Sequence, residues 1–192
     1  MKKIYYYLIG LILFIISLIF DRQISIFFTG YKLGILDVIS LFVHNISGYV
    51  LFGIVFLIIL LSKQHKKLIP LILAFLLYLG LTGLLKIIIA RPRPFIGLNN
   101  SMVSDVNPYR SFPSGHATAV FTLIPFFDFN KILYYAWIFI AVIVSLSRVY
   151  LGVHYLSDVV FGALLGIFIA DLVPYLLKCY NRKVYKHLLT LK

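Results

Sequence analysis

The sequence contains no glutamate, a single cysteine and few charged residues of either sign. Charged side chains make up 12% of the 192 residues, and all six acidic residues are aspartates. A soluble domain carries about 25% charged and about 45–50% apolar residues, whereas 62% of this chain is hydrophobic and its mean hydropathy is +1.02. A soluble fold of this length could not bury that surplus, because much of a small domain is surface. The composition excludes soluble enzymes, disordered tails and disulfide scaffolds, and it indicates a membrane protein.

The basic residues outnumber the acidic ones by 18 to 6, which gives a net charge of +12. Such an excess is common in nucleic-acid-binding domains, but here the basic residues are spread between apolar runs. We interpret them as anchors to lipid headgroups that set the topology, and we expect no nucleic-acid partner. The length fits one membrane domain, residues 1–192.

Apolar runs separated by charged residues predict an all-α bundle of six membrane-spanning helices. The fourth is short, roughly 21 Å at 1.5 Å per residue, against a hydrocarbon core about 30 Å thick. Residues 21–34 are predicted to lie at the interface, and the polar segment 95–112 is predicted to be a functional loop. The predicted spans are residues 4–20, 49–61, 68–90, 114–127, 132–151 and 154–177.

The distribution of basic residues predicts the orientation of the chain. With the N-terminus inside, eleven of the 18 basic residues lie at cytoplasmic helix ends. The positive-inside rule then places both termini in the cytoplasm, in the cell membrane. Segments 86–116 and 148–158 would meet at the outer face.

Three polar clusters fall at that predicted outer face, and polar groups at membrane depth are candidates for function. Lys86, Arg93 and Arg148 supply three cations for a phosphoryl dianion. Ser114 and Gly115 open a helix, and the free N–H groups of a helix N-terminus bind anions readily.

Two histidines and an aspartate complete the candidate site. His154 and Asp158 are four residues apart, which places them on one face of a helix. Asp158 can accept from one imidazole nitrogen and so leave the other free as a nucleophile. His116 is then available as the acid or base that serves the leaving oxygen.

The spacing of these residues resembles the three-part signature of the type 2 phosphatidic acid phosphatase family, whose superfamily includes the vanadium haloperoxidases. The motifs occupy residues 86–158. They read Lys86-x6-Arg93-Pro94, then Pro113-Ser114-Gly115-His116, then Ser147-Arg148-x5-His154-x3-Asp158.

The resemblance implies a lipid phosphatase that needs neither metal nor cofactor and works through a phosphohistidine. His154 would attack phosphorus, Asp158 would orient it, and His116 would protonate the departing oxygen. The residues implied to hold the phosphoryl oxygens are Lys86, Arg93, Ser114, Gly115 and Arg148.

Several alternatives remain open at this point. The histidines and Asp158 could ligate zinc, although three adjacent cations would oppose a divalent ion. Haloperoxidase chemistry shares the signature but suits an apolar chain less well. A phosphotransferase or a non-catalytic lipid-binding or transport protein could use the same scaffold. The substrate could be a polyprenyl diphosphate, phosphatidylglycerophosphate or phosphatidate.

Four further polar residues are assigned more modest roles. Arg91 and Arg110 are interpreted as outer-face anchors or as headgroup contacts at the rim of the pocket. His44 is expected to be an interfacial histidine without a role in the site. Asp171 is expected to pair with a basic residue near the cytoplasmic side.

Overall fold

The computed structural model describes residues 2–30, 34–46, 48–98, 103 and 106–190, and within them the regular structure is helical throughout. This confirms the predicted all-α class. Short 3₁₀ turns lie at His65–Lys67 and Ile124–Phe127. The α-helices are α1 Lys2–Gly30, α2 Gly34–Asn45, α3 Gly48–Leu61, α4 Leu68–Ile89, α5 Pro94–Leu98, α6 Gly115–Thr122, α7 Lys131–Tyr150 and α8 Leu156–Thr190.

Four helical stretches in the described residues are long and apolar enough to cross a membrane. A fifth candidate is the pair α2 and α3, which meet at an angle of 77°. The predicted fourth span is the short apolar segment Gly115–Phe127, where Pro125 falls in a 3₁₀ turn after α6. The structure therefore gives four or five candidate spans where six were predicted. The four long stretches are Ile4–Phe28, His65–Ile96, Lys131–Tyr150 and Leu156–Tyr180.

The first helix is longer than the sequence predicted. We expected it to end at residue 20 and residues 21–34 to lie at the interface, but α1 continues to Gly30. Asp21 lies inside this helix with only 5% of its surface exposed. Because its carboxylate is paired with Arg91, the charge does not force the helix to end there.

Helix α4, which corresponds to the third predicted span, ends where the sequence predicted, at the Arg-Pro-Arg-Pro segment. Its last helical residue is Ile89, and Ala90 follows in the left-handed conformation with φ of 43°. Proline cannot continue a helix but is favoured at its first position, and α5 accordingly begins at Pro94. Part of the predicted loop 95–112 is thus helical, while residues 99–102 and 104–105 lie outside the described residues.

Helix α6 packs closely against α8 because two glycines of α8 face it. A Cβ atom added at Gly162 would lie 2.7 Å from the carbonyl oxygen of Ser114, and one at Gly166 would lie 2.6 Å from that of Thr118. Glycines four residues apart allow the backbones of two membrane helices to approach closely. This approach fixes the start of α6 beside the start of α8, where the predicted site residues converge.

Candidate active site

The predicted histidine–aspartate pair meets at the start of α8. His154 lies in the turn before the helix and is 3% exposed, while Asp158 lies in its first turn with no exposed surface. The Nδ1 atom of His154 is 3.6 Å from Oδ2 of Asp158. We expected both residues on one helical face, but α8 begins only at Leu156. The two side chains still face each other because His154 lies in the turn just before the helix.

The guanidinium of Arg93 lies against the other imidazole nitrogen of His154. Its Nη1 is 3.3 Å from Nε2 of His154 and also donates to the Val153 carbonyl at 2.6 Å. Its Nε and Nη2 donate to the carbonyls of Asn107 and Arg110, at 2.8 and 3.2 Å. A guanidinium only donates, so Nε2 of His154 carries the lone pair. The proton of the neutral ring is then on Nδ1, facing Asp158.

The environment of His154 holds it in its neutral form. Burial is the largest cause that lowers the pKa of this imidazole well below its usual value. The charges of Arg93, Lys86 and Arg148 lower the pKa further, and so does His116. A neutral imidazole with a lone pair on Nε2 is the form that can act as a nucleophile.

Lys86 and Arg93 are both fixed by the segment that leads into α6. Lys86 Nζ donates to the Pro113 carbonyl at 2.8 Å and to the Arg110 carbonyl at 3.0 Å, which Arg93 also contacts. The backbone of Arg110 therefore holds two of the three predicted phosphate-binding cations. Arg110 itself is exposed.

The predicted anion-binding turn lies beside these cations at the start of α6. Ser114 is fully buried at the N-cap, and its backbone N–H donates to the Asp158 carbonyl at 3.0 Å. A Cβ added at Gly115 would lie 3.6 Å from Tyr78 Oη and 3.9 Å from Lys86 Cε. These are ordinary contacts, so packing within the protein does not itself require glycine at position 115.

His116 is held by a backbone carbonyl from the junction of α2 and α3. Its Nε2 lies 2.8 Å from the carbonyl oxygen of Ile46. A carbonyl can only accept, so Nε2 bears hydrogen in this contact. The Nδ1 atom is therefore the one that can exchange a proton with a ligand.

Arg148, the third predicted phosphate-binding cation, is 1% exposed near the end of α7. Its Nη2 is 2.6 Å from Nδ1 of His44 on α2. We expected His44 to have no part in the site, but the structure places its ring against one of the site's arginines. The bent pair α2 and α3 thus contacts the candidate site twice, through His44 and through the Ile46 carbonyl.

Comparison with known proteins identifies the family of this chain. Residues 67–182 match the model of the PAP2 superfamily, and this range includes every position of the signature. The protein belongs to the PAP2 superfamily. The names of its relatives show that it is a membrane phosphatase, a hydrolase of phosphate esters.

Two curated relatives of this PAP2 phosphatase have informative names. Undecaprenyl-diphosphatase of Sulfolobus acidocaldarius is 29% identical over 187 residues, covering 90% of this chain and 91% of that protein. Phosphatidylglycerophosphatase B of Bacillus subtilis is 38% identical over 86 residues, covering 38% of this chain and 40% of that protein.

Two solved structures share the fold of this PAP2 phosphatase. Aquifex aeolicus LpxE superposes with a TM-score of 0.67 and 31% identity, covering 81% of this chain and 94% of that one. The PAP2-type phosphatidylglycerolphosphate phosphatase from Bacillus subtilis has a TM-score of 0.67 and 25% identity, covering 95% and 97%.

Arg91 occupies a different position in the PAP2 site from the one we expected. It was interpreted as an outer-face anchor or a headgroup contact, but its guanidinium is shared by two carboxylates. Its Nη1 is 2.6 Å from Asp158 Oδ1, and its Nη2 is 2.7 Å from Asp21 Oδ2. The guanidinium also lies over the ring of Tyr155, 4.1 Å from its centroid. Both nitrogens are thereby directed at the protein, which corrects the expectation of a headgroup contact.

The structure adds three polar residues that the sequence did not identify. Asp21 contacts Arg91, Ser157 Oγ donates to Asp21, and Ser111 Oγ donates to Asp158 Oδ2 at 2.5 Å. An aspartate within an apolar helix was a usable signal for Asp21. The two serines have no spacing pattern that could have indicated them.

Asp171 lies away from the site, as expected, and it accepts a hydrogen bond from a tyrosine of α1. Its Oδ2 accepts a hydrogen bond from Tyr7 Oη at 3.1 Å, and this contact joins α8 to α1. The expected pairing with a basic residue stays a prediction.

Proposed function

We propose that this protein hydrolyses a lipid phosphomonoester or diphosphate through a phosphohistidine on His154, without a metal ion. The observation that carries the proposal is the placement of the His154 imidazole. Its Nδ1 faces Asp158 at 3.6 Å, and its Nε2 faces Arg93 at 3.3 Å. The nucleophilic nitrogen is thus directed at a cation that a phosphoryl group would also contact.

In the first step, Nε2 of His154 attacks phosphorus. The N–P bond forms as the bond from phosphorus to the leaving oxygen breaks. In its cationic form, with hydrogen on both nitrogens, His116 donates its Nδ1 proton to that oxygen, which departs as an alcohol or, for a diphosphate, as a lipid monophosphate. The positive charge that develops on the His154 ring is stabilised by the carboxylate of Asp158.

In the second step, water cleaves the phosphoenzyme. His116, now without its extra proton, accepts a proton from water as the water oxygen bonds to phosphorus. The N–P bond breaks, and its electron pair returns to Nε2 of His154. Inorganic phosphate leaves, and His116 again holds the proton it donated in the first step.

Positive charge for both steps comes from side chains. Lys86, Arg93 and Arg148 would hold the phosphoryl oxygens while charge redistributes in the transition state. Gly115 leaves space above the α6 N-terminus, and we assign that space to a phosphoryl oxygen because no packing contact within the protein demands glycine.

The substrate class rests on the membrane setting and on the names of the relatives. Those names are undecaprenyl-diphosphatase and phosphatidylglycerophosphatase B, which favours a polyprenyl diphosphate or phosphatidylglycerophosphate. With both termini in the cytoplasm, the site lies at the outer face of the cell membrane. The exposed side chain of Arg110 then lies at the rim, where it can contact a headgroup.

A panel of lipid phosphates tests the proposal. Purified protein in detergent should release phosphate from undecaprenyl diphosphate, phosphatidylglycerophosphate or phosphatidate, and identification of the products separates hydrolysis from transfer to another acceptor. Substrate labelled with ³²P should yield an acid-labile phosphoenzyme, which His154→Ala should abolish. Phosphoenzyme formation in His154→Ala would contradict the assignment of the nucleophile.

Chelation tests the absence of a metal requirement. Because three cations compensate the phosphoryl charge, EDTA should leave the rate of phosphate release unchanged. Vanadate should inhibit, since it mimics the trigonal-bipyramidal transition state in the same pocket. Loss of activity in EDTA that zinc or magnesium restores would refute the metal-free mechanism.

A further inference from the structure

We infer that Asp21 of α1 and Arg91 form a positioning pair that sets the orientation and charge of Asp158 for its action on His154. The inference rests on the proposed phosphohistidine mechanism and assigns two residues outside the signature to it. It concerns residues that act through Asp158 and that do not touch the phosphoryl group.

The carboxylate of Asp158 has a different task at each oxygen. Its Oδ2 accepts from Ser111 Oγ at 2.5 Å and from the Tyr155 N–H at 2.9 Å, and it faces His154. Its Oδ1 accepts from Arg91 Nη1 at 2.6 Å. A carboxylate is planar, so the arginine on one oxygen fixes the direction of the other. Arg91 therefore determines how Oδ2 meets the imidazole.

Arg91 is itself fixed from the opposite side by Asp21. Its Nη2 donates to Asp21 Oδ2 at 2.7 Å, while its Nη1 also donates to Ser157 Oγ at 2.7 Å. The planar guanidinium thus bridges two carboxylates in one rigid fork, a geometry that lysine cannot reproduce.

Asp21 also holds the residue directly before Asp158. Its Oδ1 accepts from the Ser157 backbone N–H at 2.9 Å, and its Oδ2 accepts from Ser157 Oγ. The first N–H groups of a helix have no partner within it, so α1 supplies an acceptor for the start of α8. Asp21 therefore restrains Asp158 along two routes, through Arg91 and through Ser157.

The charges explain why a second carboxylate is useful here. A buried carboxylate needs compensation, and Arg91 compensates Asp158. With Arg91 alone, the pair would be neutral and would stabilise an imidazolium poorly. Asp21 gives the group of three a net charge of −1, so Asp158 keeps negative charge for His154. The cations Lys86, Arg93 and Arg148 stay available for the phosphoryl group.

Two variants test the inference against one control, with the same lipid phosphate throughout. Asp21→Asn removes the charge and keeps the size, and Arg91→Lys keeps the charge and removes the fork. We expect each to lower kcat by about 10- to 100-fold, by analogy with metal sites, where changing a residue that hydrogen-bonds to a ligating side chain causes a loss of this size. KM should stay within about twofold. The control Asp171→Asn weakens another contact between α1 and α8 and should keep wild-type kcat.

A double variant tests whether Asp21 acts through Arg91. Residues that act as one unit are not additive, so Asp21→Asn combined with Arg91→Lys should be about as slow as the slower single variant. If Asp21→Asn does not fold, Arg91→Lys decides the matter, since it retains the buried charge. Full multiplication of the two losses would contradict a shared route.

Three results would overturn the inference while leaving the proposed phosphatase intact. One is wild-type kcat in Asp21→Asn or Arg91→Lys. Another is an equal loss in Asp171→Asn, which would trace the effect to helix packing. The third is evidence that Arg91 contacts the phosphate of the substrate. In that case KM would rise in Arg91→Lys, and it would fall in Asp21→Asn, because the loss of the Asp21 charge would free Arg91 for the phosphate. A wild-type protein that releases no phosphate from any lipid would instead refute the proposed function.

Discussion

The two histidines of the site use opposite nitrogens, and their neighbours determine which. In His154 the Arg93 guanidinium leaves the lone pair on Nε2, and in His116 the Ile46 carbonyl leaves Nδ1 for proton exchange. Asp158 faces the first imidazole and not the second. In the proposed mechanism, the same side chain can therefore serve as nucleophile and as acid, because the neighbours leave a different nitrogen of each ring available for reaction.

These different roles of the two histidines predict that the decrease in rate caused by removing His116 depends on the leaving group. His116→Ala should slow an alkyl phosphate by about 10²- to 10⁴-fold, since its leaving oxygen needs a proton. With p-nitrophenyl phosphate, whose phenolate leaves without a proton, the loss in the rate of phosphoenzyme formation should be much smaller. The measurement is single-turnover formation of the phosphoenzyme with both substrates. Equal losses for the two would contradict the role of His116 as general acid.

At the scale of elements, the site depends on how closely α6 approaches α8. A Cβ atom added at Gly166 would lie 2.6 Å from the carbonyl oxygen of Thr118 and 2.9 Å from the backbone nitrogen of Thr122. No side chain larger than hydrogen fits there without moving α6. The start of α6 carries Ser114 and His116, so a displacement of this helix moves two site residues at once.

Alanine substitutions at glycines of different surroundings test this packing. Gly166→Ala should destabilise the protein by about 1–3 kcal/mol through overpacking, and Gly162→Ala should also lower kcat because its Cβ would meet the Ser114 carbonyl. Gly83→Ala in α4 is the matched control, since an added Cβ there meets nothing within 4 Å. Thermal unfolding in detergent and phosphate release give the two readouts. If the Gly166→Ala protein were as stable as the Gly83→Ala protein, α6 could move to accommodate the added methyl group, and close packing at Gly166 would not be required.

The sequence predicted well those features that depend on residues close together in the chain. Successive prolines stopped α4 at Ile89, and the spacing of the signature identified the residues that converge on His154. The role of Arg91 could not be predicted, because its partner Asp21 lies 70 positions earlier. Asp21 also misled the prediction of α1, since a charge in an apolar run suggests a helix end unless its partner is known.

On the scale of the whole molecule, the site residues cluster at one end of the bundle. They come from the last third of α1, from the ends of α4 and α7 and from the starts of α6 and α8. The short segment Gly115–Phe127 spans about 20 Å by helical rise, less than a hydrocarbon core of about 30 Å. A site at its start can lie near headgroup level. A lipid could then present its phosphate while its chains stay in hydrocarbon, where each methylene is worth about 0.8 kcal/mol.

Cysteine labelling tests which side of the membrane carries this end of the bundle. Tyr109 is 59% exposed close to the site, and His65 is exposed in the turn at the start of α4, at the opposite end. Asn99 and Ser104, in the same predicted loop as Tyr109, lie outside the described residues. In a Cys179→Ala background, Tyr109→Cys should react with a membrane-impermeant maleimide in intact cells, because the positive-inside rule places this end outside. His65→Cys should react only after permeabilisation. The reverse pattern would place the active site at the cytoplasmic face and require its substrate to come from the inner leaflet.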